Sequence, residues 1–165
     1  MFAYLVFTFV YEIYLNQFDA VNYELDGFTE IVANQTINCL TFFGSDAYQV
    51  QNIEASSVKL FYKQKYIAQI IEGCNGLSVI ILFIAFVIAF TGKLKHTIAY
   101  LIAGSLMIHI LNVARIAVLC ILIFEFPEYE SVLHGVIFPL IIYGFVFLLW
   151  IVWVNKFSID VKKSN

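Results

Sequence analysis

Three residues in this sequence carry side chains that could do chemistry together: Cys74, Arg115 and His134. A thiolate is a nucleophile, an imidazole can pass a proton to a leaving amine, and a guanidinium can stabilise an oxyanion. Together these groups suit acyl transfer, in which the thiolate attacks a peptide carbonyl and forms a thioester. The residue types therefore raise the hypothesis of a cysteine peptidase or transpeptidase, provided that the fold brings them to one place.

Each of these residues also has a purely structural interpretation. Cys74, in the stretch EGCNG, could be a small packing residue, although backbone N–H groups at a helix start would stabilise a thiolate there. Arg115 lies inside an apolar run, where a charged side chain needs a partner or a function unless it reaches the lipid headgroups. His134 immediately precedes the last apolar run and could be an ordinary surface residue.

Three neighbouring residues are candidate supporting residues. Asn75 directly follows the cysteine, and Asn112 lies one helical turn before Arg115 on the same helix face. The charge of Glu72 opposes a thiolate at Cys74. Its carboxylate could instead face solvent, engage Arg115 or help to position a substrate.

The composition indicates the environment of these residues. The chain has 165 residues, of which 62% are hydrophobic and 13% charged, and its mean hydropathy is +0.87. A soluble domain of this size has too little interior to bury so much apolar surface. We therefore predict one integral membrane domain over residues 1–165, with an all-α polytopic fold of about four transmembrane helices. The sequence has no cluster of basic residues of the kind that binds nucleic acid. We therefore expect the lipid bilayer as the surroundings and no nucleic acid as a partner.

Apolar runs define the predicted membrane spans. Residues 74–92, 97–124 and 135–154 are each expected to form a transmembrane helix. Residues 1–15 form a shorter apolar run, interpreted as the outer part of a first helix whose beginning is missing from this chain. Residues 16–73 are more polar and are expected outside the membrane.

The outer region is predicted to contain one helix and one hairpin. Apolar residues recur at helical spacing over 28–44, which predicts an amphipathic helix that ends near Gly44. Two β-prone runs over 58–73, separated at Lys63-Gln64-Lys65, predict a small extracytoplasmic β-hairpin that leads directly into Cys74.

The distribution of lysines predicts the orientation of the chain. Lysines follow the spans 74–92 and 135–154, at positions Lys93, Lys95, Lys156, Lys162 and Lys163, whereas Lys59, Lys63 and Lys65 are a minor exception. The positive-inside rule then places the C-terminus in the cytoplasm. Arg115 lies 18 residues beyond Thr97, about 27 Å along its helix. It should therefore reach the outer face, at the level of Cys74 and His134.

The remaining cysteines and histidines add no second site. Cys39, Cys74 and Cys120 are odd in number and lack CxxC spacing, which argues against a disulfide framework or a zinc knuckle. A Cys39–Cys74 disulfide is the alternative to a free thiol. One cysteine with one histidine is too few for zinc, so we expect no metal and no cofactor. His109, near mid-membrane, is interpreted as an interhelical hydrogen-bonding residue rather than a proton relay.

The segments EGCNGLSVIILFIAF, LNVARI and LHGVIFPLIIYG, in that order, resemble the exosortase/archaeosortase family of membrane transpeptidases. The resemblance covers roughly residues 58–157, and the whole chain looks most like the short exosortase F subfamily of Gram-negative bacteria. It implies Cys74 as nucleophile, Arg115 as transition-state stabiliser and His134 as acid and base. The first helix of the family is normally complete, unlike residues 1–15 here.

The resemblance also implies a setting and a substrate class. The enzyme would be a multi-pass protein of the bacterial inner membrane, with its active site at the extracytoplasmic face. Its substrates would be exported proteins with a C-terminal motif, a transmembrane helix and a basic cluster. The acceptor, an amine or a lipid, is left open. The alternative is a non-catalytic membrane subunit, such as a transporter component or assembly factor, with Arg115 in a structural ion pair.

Overall fold

The computed structural model describes residues 2–18, 24–90 and 92–157, apart from the side chains of residues 2, 3, 10 and 72. Lys162 and Lys163, used above to predict the orientation, lie outside these residues. The chain is mostly helical, at 71%, and has a small three-stranded antiparallel sheet.

The helices and strands follow one another along the described residues. Their order is α1 (Phe2–Leu15), α2 (Gly27–Phe42), β1 (Ala47–Gln51), β2 (Ser57–Tyr62), β3 (Lys65–Ile71), α3 (Leu77–Ala89), α4 (Leu94–Glu125), α5 (Glu130–Val132) and α6 (Phe138–Lys156). A 3-10 turn, Glu72–Cys74, links β3 to the approach of α3, another, Pro127–Tyr129, follows α4, and a π-helical turn, Leu133–Ile137, precedes α6.

Two helical stretches are long and apolar enough to cross a membrane by length and composition, Leu94–Glu125 and Pro127–Lys156. They contain the predicted spans 97–124 and 135–154. The other two apolar helices, α1 with 14 residues and α3 with 13, are shorter. A fold with four membrane spans therefore stays a prediction.

Helix α3 is shorter than the predicted span 74–92 because its neighbours leave the helical conformation. Gly76, its N-cap residue, has a left-handed backbone with φ of +84°, and Phe90 is extended. The 13 helical residues between them extend about 20 Å, less than the thickness of a hydrocarbon core of about 30 Å.

Helix α2 is the helix predicted over 28–44, and side-chain and backbone contacts set both of its ends. The buried Asp26 side chain accepts hydrogen bonds from the N–H groups of Phe28 and Thr29. At the other end Gly44 has φ of +79°, and the Ser45 N–H donates to the Leu40 carbonyl. This is a Schellman motif, which glycine favours because it adopts positive φ without strain.

The predicted hairpin is formed by β2 and β3, and an additional strand joins it. Lys63 and Gln64 both have positive φ, which is the geometry of a two-residue type I′ turn. β1 pairs with β2 on the side away from β3, so the strand order is β1-β2-β3. β1 was not predicted, since its sequence AYQVQ is short and largely exposed.

Two groups of buried side chains hold these elements together. The first lies between the sheet, α2 and the C-terminal half of α4, and includes Leu60, Ile70 and Ile116. The second lies between α3, α4 and α6, and includes Phe83 and Trp153. The first group fixes the sheet at one end of the helices, and the second packs the helices against one another.

The opposite end of the helices is closed by contacts between α6 and the connection from α3 to α4. The Trp153 indole N–H donates to the carbonyl of Phe90 at 3.1 Å. The ring of Phe157 lies 6.0 Å from that of His96. Lys93 thus lies at the same end of the molecule as the C-terminus of α6.

The contact between Gly104 and Phe83 gives a test of this packing. A Cβ at Gly104 would overlap the Phe83 ring, so Gly104→Ala should destabilise the protein by about 1–3 kcal/mol. Thermal unfolding in detergent measures the change. The matched control is Gly144→Ala in α6, where a Cβ meets nothing within 4 Å. Equal unfolding temperatures for the two variants would contradict the close approach of α3 and α4.

Candidate active site

One cavity brings together the three residues that the sequence singled out. It has a volume of about 420 Å³ and lies between β3, α4 and the segment that precedes α6. Cys74, Arg115 and His134 all line it. Three different elements thus contribute a thiol, a guanidinium and an imidazole to the same space.

Cys74 lies in the turn between β3 and α3 rather than on the helix itself. It is a half-buried free thiol, and the cysteines Cys39 and Cys120 are free as well. The helix starts at Leu77, whose N–H donates to the Asn75 side-chain oxygen at 2.9 Å. The expectation that Cys74 opens the helix is therefore corrected, because the first N–H group of α3 is bound by Asn75.

Two buried asparagines hold the turn that carries the thiol. The Nδ2 of Asn75 donates to Oγ1 of Thr29, near the start of α2, at 3.0 Å. The Nδ2 of Asn112, on α4, donates to the carbonyl oxygen of Cys74 at 3.1 Å. Both asparagines are 1% exposed, so these hydrogen bonds replace water as their partners. The backbone at Cys74 is consequently fixed from two helices.

Arg115 also contacts Asn112, and its guanidinium has an N–H donor without a partner among the described residues. Its Nη1 makes a long hydrogen bond of 3.5 Å to Oδ1 of Asn112. Its Nε is buried and has no hydrogen-bond partner among the described residues. A guanidinium carries five N–H donors, so a bound anion or oxyanion in the cavity could accept from it.

The side chain of Glu72 lies outside the described part of the structure. Its three suggested roles, toward solvent, Arg115 or a substrate, therefore stay predictions.

His134 lies in the π-helical turn that precedes α6 and is exposed. Turns of this kind are rare and occur frequently at functional sites. Glu130 lies four residues earlier and also lines the cavity. Both residues line a neighbouring cavity of about 380 Å³ as well.

The sequence arguments missed several polar residues of the cavity. Glu130 could have been found from its four-residue spacing to His134, which places two side chains on one helix face. Lys65 and Gln69 come from β3. Their only signal in the sequence is that the predicted hairpin runs directly into Cys74.

His109 is not part of this cavity. Its Nε2 is 2.6 Å from Oε1 of Gln35, so it connects α4 to α2 as the interhelical interpretation predicts. It borders a separate groove of about 480 Å³ with an almost wholly apolar lining, which includes Phe28 and Ile84.

Comparison of the chain with protein-family models, curated proteins and solved structures returned no match. The family resemblance of the three segments is thus a hypothesis that rests on the residues themselves.

Gly76 tests whether the turn needs its contact with Asn112. An alanine there would have positive φ, and its Cβ would lie 2.9 Å from the Asn112 side chain. Gly76→Ala should displace Asn112, unpair the Cys74 carbonyl and lower the free energy of unfolding by about 1–3 kcal/mol. Thermal unfolding in detergent measures the loss.

The matched control for Gly76→Ala is Gly73→Ala, three residues earlier in the same turn. A Cβ at Gly73 meets nothing within 4 Å. This variant should unfold near the wild-type temperature. If both variants lose the same stability, the close contact of Gly76 and Asn112 does not hold the turn.

Proposed function

We propose that the protein is a membrane-embedded cysteine peptidase or transpeptidase that acts on peptide segments through a thioester acyl-enzyme. The observation that carries the proposal is the joint lining of one cavity by Cys74, Arg115 and His134. The three residues are far apart in sequence and come from different elements. Their meeting is therefore a property of the tertiary fold and not of local sequence.

Each group has one role in the proposed reaction. The Cys74 thiolate attacks the carbonyl carbon of the scissile peptide bond, and Arg115 donates hydrogen bonds to the resulting oxyanion. The C–N bond then breaks while the protonated His134 gives its proton to the leaving amine. The acyl group stays on Cys74 as a thioester. Water or an acceptor amine attacks it, passes a proton to His134, and releases the acyl group with the thiolate restored.

The supporting residues act through position. Asn112 fixes the Cys74 backbone and contacts Arg115, so it sets the distance between nucleophile and cation. Asn75 anchors the same turn to α2. In this proposal neither asparagine touches the reacting atoms.

A membrane location is supported by two helical stretches and by their surface. Leu94–Glu125 and Pro127–Lys156 are long enough to span a bilayer. On α6, Leu140 is 73% exposed and Phe147 is 57% exposed, which suits contact with lipid better than contact with water. We place the protein in the bacterial inner membrane as a multi-pass protein, with α1 and α3 within the bilayer.

The orientation is proposed from the positions of the lysines at the two ends of the molecule. Lys93, Lys95 and Lys156 lie at the end where Trp153 meets Phe90, and the cavity lies at the sheet end. With the lysines in the cytoplasm, the cavity faces the extracytoplasmic side. The proposed substrates are exported proteins with a C-terminal motif, a transmembrane helix and a basic cluster, as the family resemblance implies.

The nucleophile is tested by Cys74→Ala. An exported protein with such a C-terminal signal, encoded in the same genome, is co-expressed and its processing is followed by mass change. Alanine has no nucleophile, so processing should fall by at least about 10³-fold, to the limit of detection.

The other free cysteines supply the controls for this test. Cys39→Ala and Cys120→Ala remove thiols that do not line the cavity, and processing should continue in both. Undiminished processing by Cys74→Ala would contradict the proposal. A substrate that is never processed, even by the wild-type protein, would favour the non-catalytic membrane subunit.

The role of the guanidinium is tested by Arg115→Lys. Lysine keeps the charge but not the planar fork of donors, so the processing rate should fall at least about tenfold. Lys95→Arg, at the far end of α4, is the control and should have no effect. A normal rate in Arg115→Lys would reduce Arg115 to an anchor at the membrane surface.

A further inference from the structure

Strand β3 has one free edge. The sheet order is β1-β2-β3, and β3 pairs only with β2 among the described residues. In an antiparallel pair, alternate residues direct their backbone N–H and C=O groups away from the partner strand. β3 therefore carries a row of backbone donors and acceptors that no other strand uses.

The cavity of Cys74 runs along this free edge. Its lining includes six consecutive residues of β3, from position 65 to position 70. Successive side chains of a regular strand point to opposite faces, and a bulge at Ile67, between the pairs Leu60–Ala68 and Phe61–Tyr66, interrupts this alternation once. Even with one bulge, a cavity over one face of the strand would not meet six consecutive residues, so this cavity follows the edge of the strand.

The opposite wall of the cavity is a face of α4. Three apolar residues that follow Arg115 form this wall, at spacings of three and four residues: Ile116, Leu119 and Ile123. The space between this wall and β3 leads to Cys74, the last residue of the three-residue turn that follows β3. The thiol thus lies at one end of the groove. Along the groove, β3 presents backbone groups on one side and α4 presents apolar side chains on the other.

We propose that the substrate peptide binds in an extended conformation as a fourth strand on the free edge of β3. This inference rests on the proposed function, because the peptide must present its scissile carbonyl to Cys74. An extended backbone matches the unpaired N–H and C=O groups of the edge, as in other cases of strand addition. Six residues of strand span about 20 Å, so the groove accommodates about six residues of substrate.

Recognition of this kind depends mainly on the substrate backbone. Every second N–H of the substrate donates to β3, and the intervening N–H groups point away from it. Alternate substrate side chains face Ile116, Leu119 and Ile123, which favours apolar residues at those positions. The protein would then accept many peptide sequences, provided that apolar residues occupy those alternate positions.

The test uses biotinylated hexapeptide vinyl sulfones, made as a library with randomised side chains, and the intact protein in detergent. Addition of the Cys74 thiolate to the vinyl group labels the protein covalently. Two further libraries carry N-methyl groups on alternate amides, one on the odd positions and one on the even positions. Methylation removes a donor and adds bulk, so one of these sets should label Cys74 at least about tenfold more slowly. The other set should react at close to the unmodified rate.

Hydrogen exchange locates the bound peptide. After labelling with the unmodified library, the amides of β3 should exchange more slowly, because the free edge becomes paired. The amides of β1, at the other edge of the sheet, are the internal control and should not change.

The outcomes separate this inference from the proposed function. Equal labelling by both methylated sets, or unchanged exchange in β3, would overturn strand addition while peptide reactivity at Cys74 stands. Labelling of Cys74 by iodoacetamide but by none of the peptide libraries would overturn the proposed function and strand addition together.

Discussion

The hydrogen bond from Asn112 to the carbonyl oxygen of Cys74 is the contact on which the candidate site depends. It ties the turn after β3 to α4, and it requires a glycine at position 76, where a Cβ would collide with the Asn112 side chain. The same side chain accepts a long hydrogen bond from Arg115. Since a buried amide without partners is unfavourable by about 1–3 kcal/mol, Asn112 has few alternative arrangements. One amide group thus sets both the turn of the nucleophile and the place of the cation.

The small sheet and α2 give this contact a rigid surrounding. Asn75 reaches the start of α2, whose backbone is capped by the buried Asp26. Side chains of β2 and β3 pack on α4 in the same buried cluster. The turn at Cys74 is therefore held by a strand before it and by two helices beside it. At the far end of the helices, packing around Trp153 holds α3, α4 and α6 together without involving the site.

Periodicity and turn residues predicted the elements that obey local rules. α2 ends where Gly44 allows a Schellman motif, the hairpin turns at Lys63 and Gln64, and α4 follows its apolar run. Elements decided by tertiary contacts were missed or misplaced. β1 has little apolar signal of its own and exists because β2 pairs with it. α3 begins late because Gly76 has φ of +84°, and the turn before it is bound by Asn75 to α2 and by Asn112 to α4. The convergence of Cys74, Arg115 and His134 was predicted from the ends of the apolar runs, the lysine distribution and the rise along α4, whereas the part of β3 in the cavity required the sheet.

An open strand edge is usually a liability, because unpaired backbone groups invite other chains to pair with it. In this protein the free edge of β3 faces a wall formed by α4 and the segment before α6, so the edge opens into a confined groove. Cys74 lies three residues beyond the end of β3, in the continuation of that edge. On the proposed binding mode, the direction of the strand itself leads an extended chain to the thiol. This gives a physical reason for a nucleophile in a turn after a strand, where substrate backbone arrives, rather than within the first turn of a helix.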